Sequence, residues 1–99
     1  MKVVLTRRAL ADLDAITDYI GQDSPQRALD FTSALRDKCK DLGDTPEAWP
    51  VKQGWNPMNA RIRVWRGYLI VYVVAEKRID ILHIVNGARD LDVLMGGEG

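Results

Sequence analysis

The sequence is poor in the residues that most catalytic and metal sites need. Its 99 residues include one cysteine and one histidine, Cys39 and His83, which lie far apart in the chain. A single cysteine cannot form an internal disulfide, and this pair cannot supply the ligand set of a zinc site. No glycine-rich phosphate loop and no nucleophile elbow is present either. The sequence therefore predicts neither a metal nor a cofactor.

The sequence also lacks an excess of charge of one sign and any long apolar run. Lys plus Arg equals Asp plus Glu at 14 each, so no overall field attracts nucleic acid or an anionic membrane. The longest apolar run, residues 69–75, is far shorter than the roughly 20 residues of a membrane-spanning helix. Lys2 leads into only three apolar residues, which does not resemble a signal peptide. We expect a cytoplasmic protein with no membrane association and no sequence-specific DNA binding.

Acidic residues are missing from one long internal stretch. Residues 48–75 contain no Asp or Glu, and their basic residues are Lys52, Arg61, Arg63 and Arg66. This stretch predicts a local positive patch within a neutral protein.

The first half of the chain predicts a strand followed by two helices. Residues 3–5 are β-branched or apolar, and Thr6 is well placed to cap a helix. The apolar positions that follow recur every three or four residues, at Ala9, Leu13, Ile16 and Ile20. This is the stripe of an amphipathic helix that ends at Gly21, with Asp12, Asp14 and Asp18 turned to solvent.

A second helix begins with a capping serine and a proline, Ser24 and Pro25, and is closed by Gly43. Its apolar stripe comprises Ala28, Phe31, Leu35, Cys39 and Leu42. The short connection makes the two helices an antiparallel hairpin. The irregular segment 44–59, which contains Trp49 and Trp55, reads as a loop that is either functional or held by tryptophan packing.

The last third of the chain predicts a three-stranded antiparallel meander over residues 60–89, because three β-rich runs are separated by short polar breaks. The first strand alternates apolar residues with Arg61, Arg63 and Trp65, which predicts an edge strand with one core face (Ala60, Ile62 and Val64) and one outward cationic face. The central strand covers residues 68–75. The third strand begins at Ile79, and a short helix is expected over residues 88–95. The fold class is α+β in a single domain, residues 1–99, with the hairpin packed on one face of the meander.

Each polar or aromatic candidate residue of the sheet has two possible roles, one structural and one functional. Alternation in the third strand puts His83 on one face with Ile79, Ile81 and Val85, where a histidine is either structural or catalytic. Arginine cannot act as a base in a protein, so Arg61 and Arg63 contact an acidic partner or are simply solvated. Trp65 on the same face is a candidate interface residue or a packing residue.

Four segments together resemble the RelE/ParE superfamily of type II toxin–antitoxin toxins. Their order and spacing carry the resemblance over nearly the whole chain. The segments are VVLTRRALADL at residues 3–13, SPQRALDF at 24–31, RIRVWRGYLIVY at 61–72 and ILHIVNGARD at 81–90.

The resemblance implies one of two activities. ParE-like toxins inhibit DNA gyrase by binding it, without catalysis, and the closing Gly-Ala-Arg-Asp at residues 87–90 resembles their pattern. RelE-like toxins are ribosome-dependent endoribonucleases that cut messenger RNA, and here they would have to use His83, Arg61, Arg63 and Arg89. A toxin that has kept antitoxin binding but lost activity is the third alternative.

The ParE-like hypothesis implies a ParD-like antitoxin in a hetero-oligomeric complex, DNA gyrase as the target and a role in plasmid stabilisation. On this hypothesis the chain has no catalytic residues. Arg61, Arg63, Trp65 and Arg89 would then contact the antitoxin or the target.

Overall fold

Two helices lie on one face of a four-stranded sheet. The computed structural model describes residues 1–55, 57 and 59–88. The elements are β1 (Lys2–Leu5), α1 (Arg7–Gly21), α2 (Pro25–Asp41), β2 (Arg61–Trp65), β3 (Tyr68–Val74) and β4 (Arg78–Asn86). This confirms the predicted α+β architecture. The helix expected over residues 88–95 falls, beyond Ala88, outside the described residues.

Side-chain caps start both helices where the sequence predicts them. Thr6 Oγ1 accepts a hydrogen bond from the Ala9 N–H at 3.2 Å, and Ser24 Oγ accepts one from the Arg27 N–H at 3.2 Å. These bonds satisfy backbone donors that have no partner within the first turn of a helix. Within the described residues, neither helix is long and apolar enough to cross a membrane.

The strands follow the order β1-β4-β3-β2. The last three strands form the predicted antiparallel meander, and β2 is an edge strand as expected. β1 lies on the outer side of β4 and runs parallel to it, with Leu5 opposite Ile81. The sequence indicates β1 as a strand but does not indicate its partner.

A β-bulge changes which side chains of β4 face the helices. Tyr72 pairs with Ile81, whereas its neighbour Val71 pairs with His83, so Leu82 is an extra residue. The bulge puts Ile84 in the helix-facing cluster and Val85 in the cluster on the opposite face. The expectation that His83 shares one continuous face with Ile79, Ile81 and Val85 is therefore wrong.

Apolar side chains fill both sides of the sheet. The helix side contains the larger cluster, which confirms that the hairpin covers one face of the meander. Its buried members are Ala9, Leu13, Ile16, Leu35, Cys39, Leu42, Ile70, Tyr72, Ile79, Ile81 and Ile84. On the opposite face, Trp55 from the loop packs on Ala60, Ile62, Val71 and Val85. Trp49 packs against the helix-side cluster, so both loop tryptophans are packing residues.

Candidate functional site

The polar side of β2 lies against α2 rather than facing solvent. Arg63 Nη1 donates a hydrogen bond to the Lys38 carbonyl oxygen in the last turns of α2, at 3.0 Å. The rings of Trp65 and Phe31, also on α2, have their centroids 5.2 Å apart. The prediction that Arg61, Arg63 and Trp65 form an outward cationic face is therefore wrong.

The other side of β2 is only partly a core face. Ala60 and Ile62 are buried as expected, but in the cluster opposite the helices, and Val64 is 63% exposed. An arginine can occupy the helix side because its aliphatic stem packs against apolar surface while its head reaches polar groups. Here the head of Arg63 binds a carbonyl near the negative end of α2, where a cation is favourable.

A group of four residues, which we call the arginine seam, joins β2 and β3 to the loop after α2. The seam consists of Arg61, Arg63, Trp49 and Tyr72. Arg61 Nη1 donates to the Trp49 carbonyl oxygen at 2.6 Å, and the Arg63 guanidinium lies 4.4 Å from the centre of the Trp49 ring. The Tyr72 hydroxyl donates to the Pro46 carbonyl oxygen at 2.9 Å. In the described part of the chain, neither guanidinium has a carboxylate within ion-pair distance.

Cys39 beside the seam and Tyr72 within it are both protonated near neutrality. Burial raises the pKa of the Cys39 thiol to about 11, although the charges of Arg63 and Arg36 act in the opposite direction. Burial also raises the pKa of Tyr72, against the lowering effect of Arg61 and Arg63. Cys39 is fully buried, as expected from its place on the helix stripe. Neither group is a general base at neutral pH.

Aromatic rings and a strained turn lie where β2 ends and β3 begins. Phe31 contacts both Trp65 and Tyr68, the latter with ring centroids 5.5 Å apart. Between the two strands, Arg66 has φ 49° and Gly67 has φ 83°, the left-handed pair required by a tight hairpin turn. The Arg66 guanidinium lies over the Trp65 ring at 4.8 Å.

An open groove of about 430 Å³ lies between α2 and this turn. We call it the turn groove. Its lining residues are Ile20, Arg27, Asp30, Phe31, Arg66 and Tyr68. Asp30 accepts a hydrogen bond from Gln26 Nε2 at 3.1 Å, whereas neither arginine forms an ion pair among the described residues. The groove therefore has an aromatic floor and an excess of positive charge.

His83 lies beside Asp12 of α1 at the edge of β4. Asp12 Oδ2 accepts a hydrogen bond from the Ile84 N–H at 3.0 Å, and Arg8 Nε is 3.2 Å from Oδ1. His83 Nδ1 is 3.9 Å from Oδ2 and has no hydrogen-bond partner among the described residues. Burial lowers the pKa of His83, the charge of Arg8 lowers it further, and Asp12 opposes both. The expectation that Asp12 faces solvent is wrong, because its carboxylate takes the place of a strand carbonyl at this edge.

Among the described residues of the nuclease hypothesis, His83 is not assembled with Arg61 and Arg63. Arg63 pairs with Ile70, whose side chain lies in the helix-side cluster. His83 pairs with Val71 in the opposite cluster, and its ring approaches Asp12. Arg89 lies outside the described residues. Within the described residues, no group of three His, Cys, Asp or Glu could hold a metal ion.

Three features of these sites were not predicted from the sequence: the contact of Asp12 with β4, the tight Arg66-Gly67 turn and the place of Arg27 in the turn groove. Asp12 lies between Ala9 and Ile16 on the helix, so its spacing already placed it at the border of the buried stripe. The Arg66-Gly67 pair between two strands carried the signal of a two-residue hairpin turn. Arg27 carried no such signal, because only the approach of α2 to the turn makes it part of the groove.

A helical hairpin packed on a four-stranded sheet defines a RelE/ParE-type toxin fold, and comparison with known proteins specifies the family. Residues 3–91 match the model of the ParE toxin of the type II toxin–antitoxin system parDE. A protein named Toxin RelE2 of Caulobacter vibrioides is 38% identical over 91 residues, which cover 89% of this chain and 97% of that protein. The chain belongs to the ParE toxin family.

A solved structure agrees with this assignment. The chromosomal ParDE toxin–antitoxin system of P. aeruginosa contains a chain that superposes with a TM-score of 0.74 at 27% identity. The match covers 87% of this chain and 95% of that one. The protein is thus the toxin component of a type II toxin–antitoxin system, and the family implies an antitoxin as its partner.

Proposed function

We propose that this toxin acts by binding and inhibiting DNA gyrase in the cytoplasm and that a ParD-like antitoxin neutralises it. The observation that carries the proposal is the separation of His83 from the arginine seam. RNA cleavage needs an acid and a base beside the cations that stabilise the phosphorane. In the described part of the chain, the charge of Arg63 acts on Cys39 and Tyr72, whose raised pKa values make both poor proton acceptors.

Arg61 and Arg63 remain proposed contacts for acidic groups of the antitoxin. Each uses one guanidinium N–H on a backbone carbonyl and is only partly buried. The remaining N–H groups are free to bind carboxylates, which accept strong, charge-assisted hydrogen bonds. Trp65, which is only partly buried, would contribute as well, and Arg89 completes the proposed set. An antitoxin segment that folds on binding could reach all of them. A toxin–antitoxin pair of this kind would serve plasmid stabilisation.

A parallel assay of two activities tests the proposal. The purified toxin is added to gyrase supercoiling reactions and, separately, to ribosomes translating a defined messenger. We expect inhibition of supercoiling, unchanged in His83→Ala, and no cleavage of the messenger. Cleavage that disappears in a folded His83→Ala variant would contradict the proposal and favour the ribosome-dependent nuclease suggested by the name of the Caulobacter relative. Antitoxin binding with neither activity would identify an inactive toxin.

A further inference from the structure

The turn groove and the arginine seam lie on either side of Trp65, but their arginines have different surroundings. Both guanidinium groups of the seam bind backbone carbonyls. Among the described residues, Arg27 has no side-chain hydrogen bond or ion pair, and Arg66 has only its stacking contact with Trp65. Two cations that border the same groove without carboxylate partners leave strong donors available to an outside group.

The backbone at Arg66 supports a role for its side chain outside the fold. A left-handed φ of 49° is unfavourable for arginine, and this turn position favours asparagine, aspartate or glycine. Strained residues of this kind cluster at binding sites. The guanidinium donates no hydrogen bond and forms no ion pair within the described chain, and it stacks on the Trp65 ring.

The floor of the groove is suited to an apolar side chain. Phe31 and Tyr68 are only partly buried, and their rings line a space of about 430 Å³. Aromatic rings and arginines are enriched among the residues that dominate the energetics of protein interfaces. The zero net charge of the chain argues for a peptide rather than a nucleic acid.

We propose that the turn groove is a docking site for an antitoxin segment that inserts one apolar or aromatic side chain between acidic residues. The apolar side chain rests on Phe31 and Tyr68, and the flanking carboxylates bind Arg27 and Arg66. This inference rests on the proposed neutralisation by an antitoxin. It assigns part of that interaction to residues outside the seam.

Substitution of the two groove arginines tests the site without disturbing the fold. Arg66→Asn removes the guanidinium and introduces a residue that the turn favours, and Arg27→Gln changes an exposed side chain while leaving its backbone N–H on Ser24. The matched control is Arg36→Gln, an exposed arginine of the same helix that does not line the groove. Circular dichroism and thermal unfolding confirm that each variant is folded.

Affinity is measured by fluorescence anisotropy with the full-length toxin and a labelled ParD-like antitoxin. We expect each groove variant to bind about tenfold more weakly, and the double variant more weakly still, while Arg36→Gln binds like the wild type. Equal affinities for all variants would overturn the groove and leave the proposed neutralisation standing. A wild-type chain that binds no antitoxin would overturn the neutralisation itself.

A second experiment tests whether the ligand of the turn groove is a peptide or a nucleic acid. Short labelled peptides that tile the antitoxin are compared with a labelled single-stranded oligonucleotide of matched net charge. We expect binding by a peptide that contains an apolar residue between acidic ones, and loss of that binding in Arg66→Asn. An oligonucleotide that binds the wild type, loses affinity in Arg66→Asn and is not displaced by the antitoxin would overturn the assigned occupant.

Discussion

Two pairs of arginines lie along the same helix and differ in what their side chains bind. Arg63 donates to the Lys38 carbonyl oxygen near the end of α2, and Arg61 donates to the Trp49 carbonyl oxygen in the loop that follows. Arg27 and Arg66 lie near the start of α2 and bind no carbonyl in the described chain. Each arginine of the first pair uses one N–H group to stabilise the fold, whereas the guanidinium groups of the second pair donate no hydrogen bond within the described chain.

The helix itself accounts for much of this difference. The last turns of a helix present carbonyl oxygens and a partial negative charge, whereas its first turn presents N–H groups and a partial positive charge. Arg63 reaches the end of α2 that offers acceptors. Arg27 lies near the end where a cation is slightly unfavourable and an anion is stabilised. The same residue type is therefore structural at one end of the helix and suited to binding at the other.

The largest effect is expected from Arg63→Ala. The substitution removes a charge-assisted hydrogen bond and the stacking contact with Trp49, together worth about 2 kcal/mol. We expect the free energy of unfolding, measured by urea denaturation with circular dichroism, to fall by that amount.

Arg36→Ala provides the control for this measurement, because Arg36 is exposed on the same helix and forms no hydrogen bond or ion pair among the described residues. Its effect should stay within about 0.5 kcal/mol. If Arg63→Ala were equally mild, the seam would not be structural and the contrast between the two pairs would fail.

Local signals in the sequence were enough to predict most of the fold. The caps at Thr6 and Ser24 and the apolar stripes that follow them depend on neighbouring residues, so both helices start where the sequence indicates. The antiparallel meander followed from its short connections, which allow no other pairing. The edge position of β2 followed from its charged residues.

Local signals could not predict what covers each face of β2 or which side chains of β4 point toward the helices. Alternation separates Arg63 from Ile62, but it does not reveal that α2 presents a carbonyl to the arginine or that Trp55 covers the isoleucine. The bulge at Leu82 reverses the alternation in β4, and nothing in the local sequence marks it. The turn groove likewise depends on the approach of α2 to a turn that lies far from it in the chain.

A smaller effect of opposite sign is expected from Arg66→Asn. Asparagine adopts the left-handed conformation more readily than arginine, and the gain exceeds the loss of an exposed stacking contact. We expect the free energy of unfolding to rise by up to about 1 kcal/mol. Arg66→Ala is the matched control, since it loses the same guanidinium without gaining a favourable turn residue. A clear loss of stability in Arg66→Asn would mean that the groove pair is structural too.

The smallest effect is expected from pH and concerns His83, whose pKa is influenced by the charges of Arg8 and Asp12. The pKa of His83 is lowered in the folded protein, chiefly by burial. The unfolded chain therefore binds the proton more readily, and the stabilisation present above about pH 6.5 is lost as the pH falls from that ordinary value through the lowered pKa of the folded protein. We expect the wild type to lose more stability than His83→Gln between neutral pH and pH values below the ordinary pKa, with both followed by urea denaturation in the same buffers. Greater stability of the wild type at the lower pH would mean that attraction to Asp12 outweighs burial of the ring, and the pKa of His83 would then lie above its ordinary value.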